Sequence, residues 1–312
     1  MSKKYDDFTS KCITGTVAKA ADRYAMDVMG LRSLTLMETA SSKIAEYVIK
    51  HYPLCGEHDL RSAAPIMVNE GGGNCGAYPK RSESDGDHLK ISVLCGVGNN
   101  GADGVCASRM LLREGYQPHV YIVGKLEKAS WEFLYQLCHF QQAGGAVTMY
   151  RPDTDTANAG EAAGMAVHSD SDTAADEVCD KRGYTVPSST PQKNPSDASA
   201  PLPADTLQDD DILIDAIFGI GLHREIAGDY RLFIEEANRH HHGFVLAIDA
   251  PSGINTDTGA LMGCGIKADV TITFGRNKTG LVCGAGQELA GRVLVEDIGI
   301  PDEAYREAEK HA

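Results

Sequence analysis

Three glycine-rich loops hold the residues of this chain best suited to chemistry. The first, Gly96-Val97-Gly98-Asn99-Asn100-Gly101-Ala102-Asp103-Gly104, follows the apolar run Ile91-Ser92-Val93-Leu94-Cys95. Gly96, Gly98 and Gly101 satisfy G-x-G-x-x-G. That spacing lets backbone N–H groups approach a phosphate, and a helix starting there favours negative charge. The pattern alone is weak, since a tight strand-to-helix turn with Asp103 as a helix charge would look the same. Asn99, Asn100 and Asp103 together supply more polar side chains than a cap needs, which points to a polar site. The second loop, Gly219-Ile220-Gly221-Leu222-His223-Arg224-Glu225, follows Ile214-Asp215-Ala216-Ile217-Phe218. A carboxylate such as Asp215 inside an apolar strand must be paired, hydrogen-bonded or bound to a cation. An Arg partner or backbone N–H groups would satisfy it without any function. The third loop places Asp249 at the carboxyl end of an apolar strand, before Ala250-Pro251-Ser252-Gly253. Taken singly, Asp249 reads equally as a turn-forming residue. Three such loops on the ligand-binding edge of one open sheet read better as a composite site. Asn100, Asp215 and Ser252 are hard oxygen donors with one carboxylate among them, and suit a weakly charged cation better than zinc.

Regular elements must hold these loops together. Short apolar, β-branched runs occur at 90–95, 119–123, 146–150, 212–218, 244–250, 269–274 and 292–298. Helical stretches at 105–114, 130–143 and 230–240 fall between them. Residues 14–50 add a helical pair divided at Gly30. Strands alternating with helices predict a three-layer α/β/α, Rossmann-like, doubly wound and mostly parallel sheet in a single domain, residues 12–302. The stretches 53–88 and 152–208, rich in Gly, Pro, Ser and Asp, predict two surface insertions. An ordinary dehydrogenase fits poorly. Its second strand should end in an acidic residue, and here it ends Val123-Gly124-Lys125.

Composition excludes some partners. A net charge of −15 argues against nucleic acid and anionic membranes as general partners, while leaving room for a locally positive phosphate pocket. No apolar run reaches the roughly 20 residues that span a bilayer. The opening Met1-Ser2-Lys3-Lys4-Tyr5-Asp6-Asp7 lacks the apolar core of a signal peptide, so a cytoplasmic location is expected. The nine cysteines are odd in number and several fall inside elements, which favours reduced, buried thiols. Cys55, His58, Cys75 and His88 could form a zinc site in the first insertion. Cys75 to His88 is not a standard ligand spacing, so unliganded residues are the preferred reading.

The motifs together resemble those of a family. Val93-Leu94-Cys95-Gly96 through Asp103-Gly104, Asp215-Ala216 through Gly221-Leu222, and Ala247-Ile248-Asp249 through Ser252-Gly253 resemble three signatures of the YjeF N-terminal domain family, the NAD(P)HX epimerases. Leu36-Met37-Glu38-Thr39-Ala40-Ser41, the run from Ala268 to Gly275 with Lys278-Thr279-Gly280, and Val295 to Pro301 agree as well. The resemblance implies epimerisation of the R and S forms of hydrated NADH and NADPH, with one potassium ion per subunit. It implies substrate contacts at Asn99, Asn100, Gly101, Ala102 and Asp103, at Gly219, Ile220, Gly221, Leu222, His223, Arg224 and Glu225, and at Asp249. Asn100, Asp215 and Ser252 would hold the potassium. It also implies a homodimer and a separate NAD(P)HX dehydratase, the C-terminal dehydratase domain of many bacterial members not being expected here. Ala102, Thr39 and Ser41 depart from the family's Gly, Asn and Gly. The family does not settle the acid–base residue. Asp249 is our choice for it, from its place at the strand edge. A non-catalytic nucleotide- or RNA-binding module on the same fold is the alternative, disfavoured by the acidic charge and the intact polar loops.

Overall fold

A computed structural model describes residues 12–54, 89–152, 199–202, 207–208 and 210–311. Most of the two expected insertions, and all four candidate zinc ligands, lie outside the described residues. Two helices come first. In α1 (Gly15–Asp27) the side chain of Thr14 accepts a hydrogen bond from Val17 N at 3.1 Å, while Val17, Ala18, Ala21 and Ala25 recur at helical spacing and are buried. Gly30 follows at φ +75°, a conformation open to glycine, and α2 (Ser33–His51) then buries Leu36, Met37, Ala40, Ile44 and Val48.

The sheet begins with β1 (Lys90–Gly96), α3 (Asn99–Arg113), β2 (Gln117–Val123), α4 (Trp131–Gln142) and β3 (Ala146–Tyr150). It continues with β4 (Ser199–Ala200), β5 (Ile212–Ala216), α5 (Asp229–His240), β6 (Phe244–Ile248) and β7 (Val270–Phe274). A short α6 (Gly284–Leu289), β8 (Arg292–Glu296) and α7 (Asp302–Glu309) complete it. The eight strands stand in the order β4-β3-β2-β1-β5-β6-β7-β8, and every neighbouring pair is parallel. Helices on both faces explain why β1 and β5 are apolar almost without interruption. On one face α2, α3 and α4 pack on Val93, Val120, Ile214, Leu246 and Ile272. On the other, Phe233 and Ile234 of α5 pack on Leu94, Tyr121 and Leu213. The small residues of α1 meet Ala304 and Ala308 of α7 in a separate cluster that reaches Ile220 of the second glycine loop.

Sequence order reverses across β1 and β5, which makes their carboxyl ends the switch point where such sheets bind ligands. The register sets Leu94 beside Asp215, and Asp215 beside Ala247. All three loops therefore leave the same edge of the sheet. β4 was not expected. It lies in the stretch read as a surface insertion, pairs with Met149 and Tyr150, and is followed by buried Leu202 and Leu207. A two-residue strand in Ser- and Ala-rich sequence carries no periodicity from which to read it.

Candidate functional site

The switch point opens into a cavity of about 560 Å³. The first loop supplies Asn99, Asn100 and Asp103 to its wall, and the second supplies Gly219, Ile220, Gly221 and Leu222. Asp249 enters from the end of β6. The first intrahelical bond of α3 runs from Ala102 N to Gly98 O at 3.0 Å, so the helix starts at the cavity wall. Its N-terminal N–H groups and dipole favour an anion there. Gly101 cannot be larger. A Cβ on it would sit 1.8 Å from the carbonyl oxygen of Gly96, so the turn closes backbone on backbone.

Asp249 is held with unusual care. It has φ +65°, alone among the described non-glycine residues in the left-handed region, and it is only 8% exposed. Such backbone strain persists only where its surroundings enforce it. Asp249 N donates to Ile272 O at 2.8 Å. Its Oδ1 accepts from Lys278 Nζ at 2.6 Å and from Thr273 Oγ1 at 3.1 Å. The Lys278 ammonium is 2% exposed and also donates to Thr273 Oγ1 at 2.8 Å and Phe274 O at 2.9 Å. Oδ2 of Asp249 is left facing Gly219. A Cβ on Gly219 would lie 3.2 Å from that oxygen and 2.9 Å from Asn100 Oδ1, so the missing side chain keeps both groups open to the cavity.

Behind this wall lies Asp215, 0% exposed. Its Oδ2 accepts from Ser252 N at 2.7 Å, and its Oδ1 accepts from Ser252 Oγ at 2.6 Å and Ile217 N at 3.3 Å. Ser252 Oγ in turn accepts from Phe218 N at 2.9 Å. Asp215 is thus satisfied by N–H and O–H groups, and among the described residues no Lys or Arg pairs with it. Burial pushes its carboxyl up to about 6, although the bonds from Ser252 pull the other way. A buried carboxylate without a counter-charge, bonded to a serine hydroxyl, and an Asn100 amide oxygen facing Gly219 of the second loop are donors of a kind that fits a large monovalent cation.

The remaining residues expected at the substrate fall elsewhere. Ala102 lies on the buried side of α3 in the core, Gly101 is packed against Gly96, and His223, Arg224 and Glu225 are exposed outside the cavity lining. Ser41, one of the departures from the family pattern, donates to Asp103 O at 3.1 Å and ties α2 to α3. The cavity also uses residues that sequence reasoning gave no role: Asp22 on α1, Lys278 after β7 and Tyr305 on α7. Burial pushes Asp22 up to about 6, with Asp249 adding to the effect and Lys278 opposing it. Burial, then Asp249, Asp22 and Glu132, push Asp103 well above the carboxylate range. Two signals were available: a carboxylate on the buried stripe of α1, and the only lysine between the last two strands.

A family model described as YjeF-related protein N-terminus matches residues 33–280. The NAD(P)H-hydrate epimerase of Limosilactobacillus fermentum is 33% identical over 289 residues, covering 93% of this chain and 97% of the relative. The NAD(P)H-hydrate epimerase of Leuconostoc gelidum subsp. gasicomitatum is 30% identical over 224 residues, with 71% and 76% covered. The crystal structure of yeast ynu0 superposes with a TM-score of 0.61 at 17% identity, over 96% of this chain and 93% of that one, a likeness of fold.

Proposed function

Because this chain belongs to the YjeF-related N-terminus family, we propose that it is an isomerase that interconverts the R and S forms of hydrated NADH and NADPH. One observation carries the reading beyond family membership: a strained, ion-paired Asp249 offers one free oxygen to a cavity that also holds a helix N-terminus. The reaction inverts carbon 6 of the hydrated nicotinamide ring, which bears the hydroxyl and is bonded to the ring nitrogen. Departure of the hydroxyl, helped by the nitrogen lone pair, leaves a planar iminium that water can attack on either face. Ring opening and reclosure is a second route to the same result. Both need a group that moves a proton at that hydroxyl. Asp249 fits this task. Its Oδ1 is committed to Lys278 and Thr273, and its Oδ2 faces the cavity. The start of α3 would receive the pyrophosphate, and Phe218 and Ile220 would cover apolar parts of the dinucleotide. The direct test is to mix the protein with the R form of hydrated NADH and follow the S form by chromatography. Appearance at the uncatalysed rate would reject the reading.

Potassium belongs to the same reading. Asn100, Asp215 and Ser252 would hold it, and its charge would offset the buried Asp215 carboxylate and tie the three loops together. Its action would be ordering rather than strong Lewis acidity. Potassium chloride should therefore raise the melting temperature by roughly 2 °C or more over equal tetramethylammonium chloride. Asp215→Asn should remove that difference, and an equal response in the variant would contradict the assignment. The homodimer and the separate dehydratase are likewise proposed on the family resemblance. A cytoplasmic setting is proposed with them, supported by the acidic net charge and by described helices too short or too polar to cross a membrane.

A further inference from the structure

Asp22 has no structural task that accounts for its position. It lies four residues after Ala18 and three before Ala25, both buried in the cluster with α7, and it lines the cavity. A carboxylate on a packing stripe costs stability unless something bonds to it. Among the described residues no group donates a hydrogen bond to its side chain. The charged and titratable groups around it are Lys278, Asp249, Asp103 of α3, Tyr305 of α7, and Lys19, Arg23 and Asp27 of α1 itself. Lys278 is already committed to Asp249.

We propose that Asp22 is a second catalytic residue of the epimerisation, moving a proton from the α1 wall of the cavity while Asp249 acts from the sheet edge. The inference rests on the epimerase reading. Inversion through an iminium has the hydroxyl leave from one face of C6 and water arrive on the other, so a donor on one wall of the cavity and an acceptor on another serve the two faces. In one direction Asp22 gives its proton to the C6 hydroxyl. The C6–O bond breaks, the ring nitrogen lone pair forms the C=N bond, and water leaves. A water then adds to the other face of C6, its oxygen remaking the C6–O bond and its proton passing to Asp249. The two carboxyls have exchanged states, and proton exchange with solvent, or the reverse turnover, resets them. No electrons are gained or lost. Burial pushes Asp22 up to about 6, with Lys278 opposing and Asp249 adding to the effect, and a carboxyl so placed on the cavity wall is suited to carry the donated proton.

The test is the pH profile of kcat for the whole protein, corrected for uncatalysed epimerisation, in wild type, Asp22→Asn and Asp22→Glu. Wild-type kcat should fall as pH rises through about 6, as the donor loses its proton. Asp22→Asn should lower kcat on the order of 10²-fold, leave KM within about threefold, and lose that limb. Asp22→Glu should recover at least about tenfold of the loss, which a purely structural defect would not. A wild-type profile flat through pH 6, or an Asp22→Asn variant within about threefold of wild-type kcat, overturns the proposal while leaving the epimerase reading intact. A wild-type protein with no epimerase activity overturns both.

Discussion

Asp249→Asn is expected to lower kcat by about 10³-fold or more while leaving binding of ADP-ribose, as a probe of the nucleotide part of the cavity, within roughly threefold. The amide keeps the shape of the side chain and an oxygen to accept from Lys278 and Thr273, which bond to Oδ1 at 2.6 and 3.1 Å. It loses the ability to take and return a proton, together with the negative charge that pairs with the buried Lys278 ammonium, so folding is checked alongside turnover. Asparagine also tolerates the left-handed backbone found at φ +65°, so the loop should keep its course. Asp249→Ala would not be an equal test, because it removes the accepting oxygen and adds backbone strain. An Asn variant that turns over within about tenfold of wild type would take the proton-transfer role away from Asp249.

Lys278→Met should have the largest effect on stability. The ammonium is almost completely buried and donates three bonds, to Asp249, Thr273 and the Phe274 carbonyl. Methionine can fill much of the space and make none of them. The Asp249 carboxylate would then stand buried without a counter-charge, a loss of about 3–5 kcal/mol in chemical denaturation. Adding Asp249→Asn to Lys278→Met removes the stranded charge. That double variant should regain on the order of 1–3 kcal/mol without regaining activity. A single variant within about 1 kcal/mol of wild type, with no gain in the double, would show that the pair does not support the third loop.

The loops were legible because their signals are local. Glycines spaced for a strand-to-helix turn, and aspartates inside or at the end of apolar strands, stand out in a few residues of sequence. The parallel sheet was legible for the same reason, since buried strands such as Ile212–Ala216 are apolar runs. What escaped depends on distance along the chain. Lys278 lies 29 residues from the Asp249 it bonds, and no spacing rule joins them. Asp22 reaches the cavity only because α1 packs on α7, a contact between the two ends of the described chain. Direction was hidden too. Leu222 is buried, yet the three residues after it point to solvent, so a motif that names all of Gly219–Glu225 cannot say where the cavity wall stops. Ala102 shows the same limit from the inside: it belongs to the motif but faces the core.

The most direct measurement starts from each pure epimer of hydrated NADH in turn. With catalytic amounts of the protein, both mixtures should converge on one R-to-S ratio well ahead of the protein-free controls, and an equal amount of Asp249→Asn should track those controls. Convergence no faster than the controls, in a folded sample that still binds ADP-ribose, would contradict the assignment of this cavity as an epimerase site.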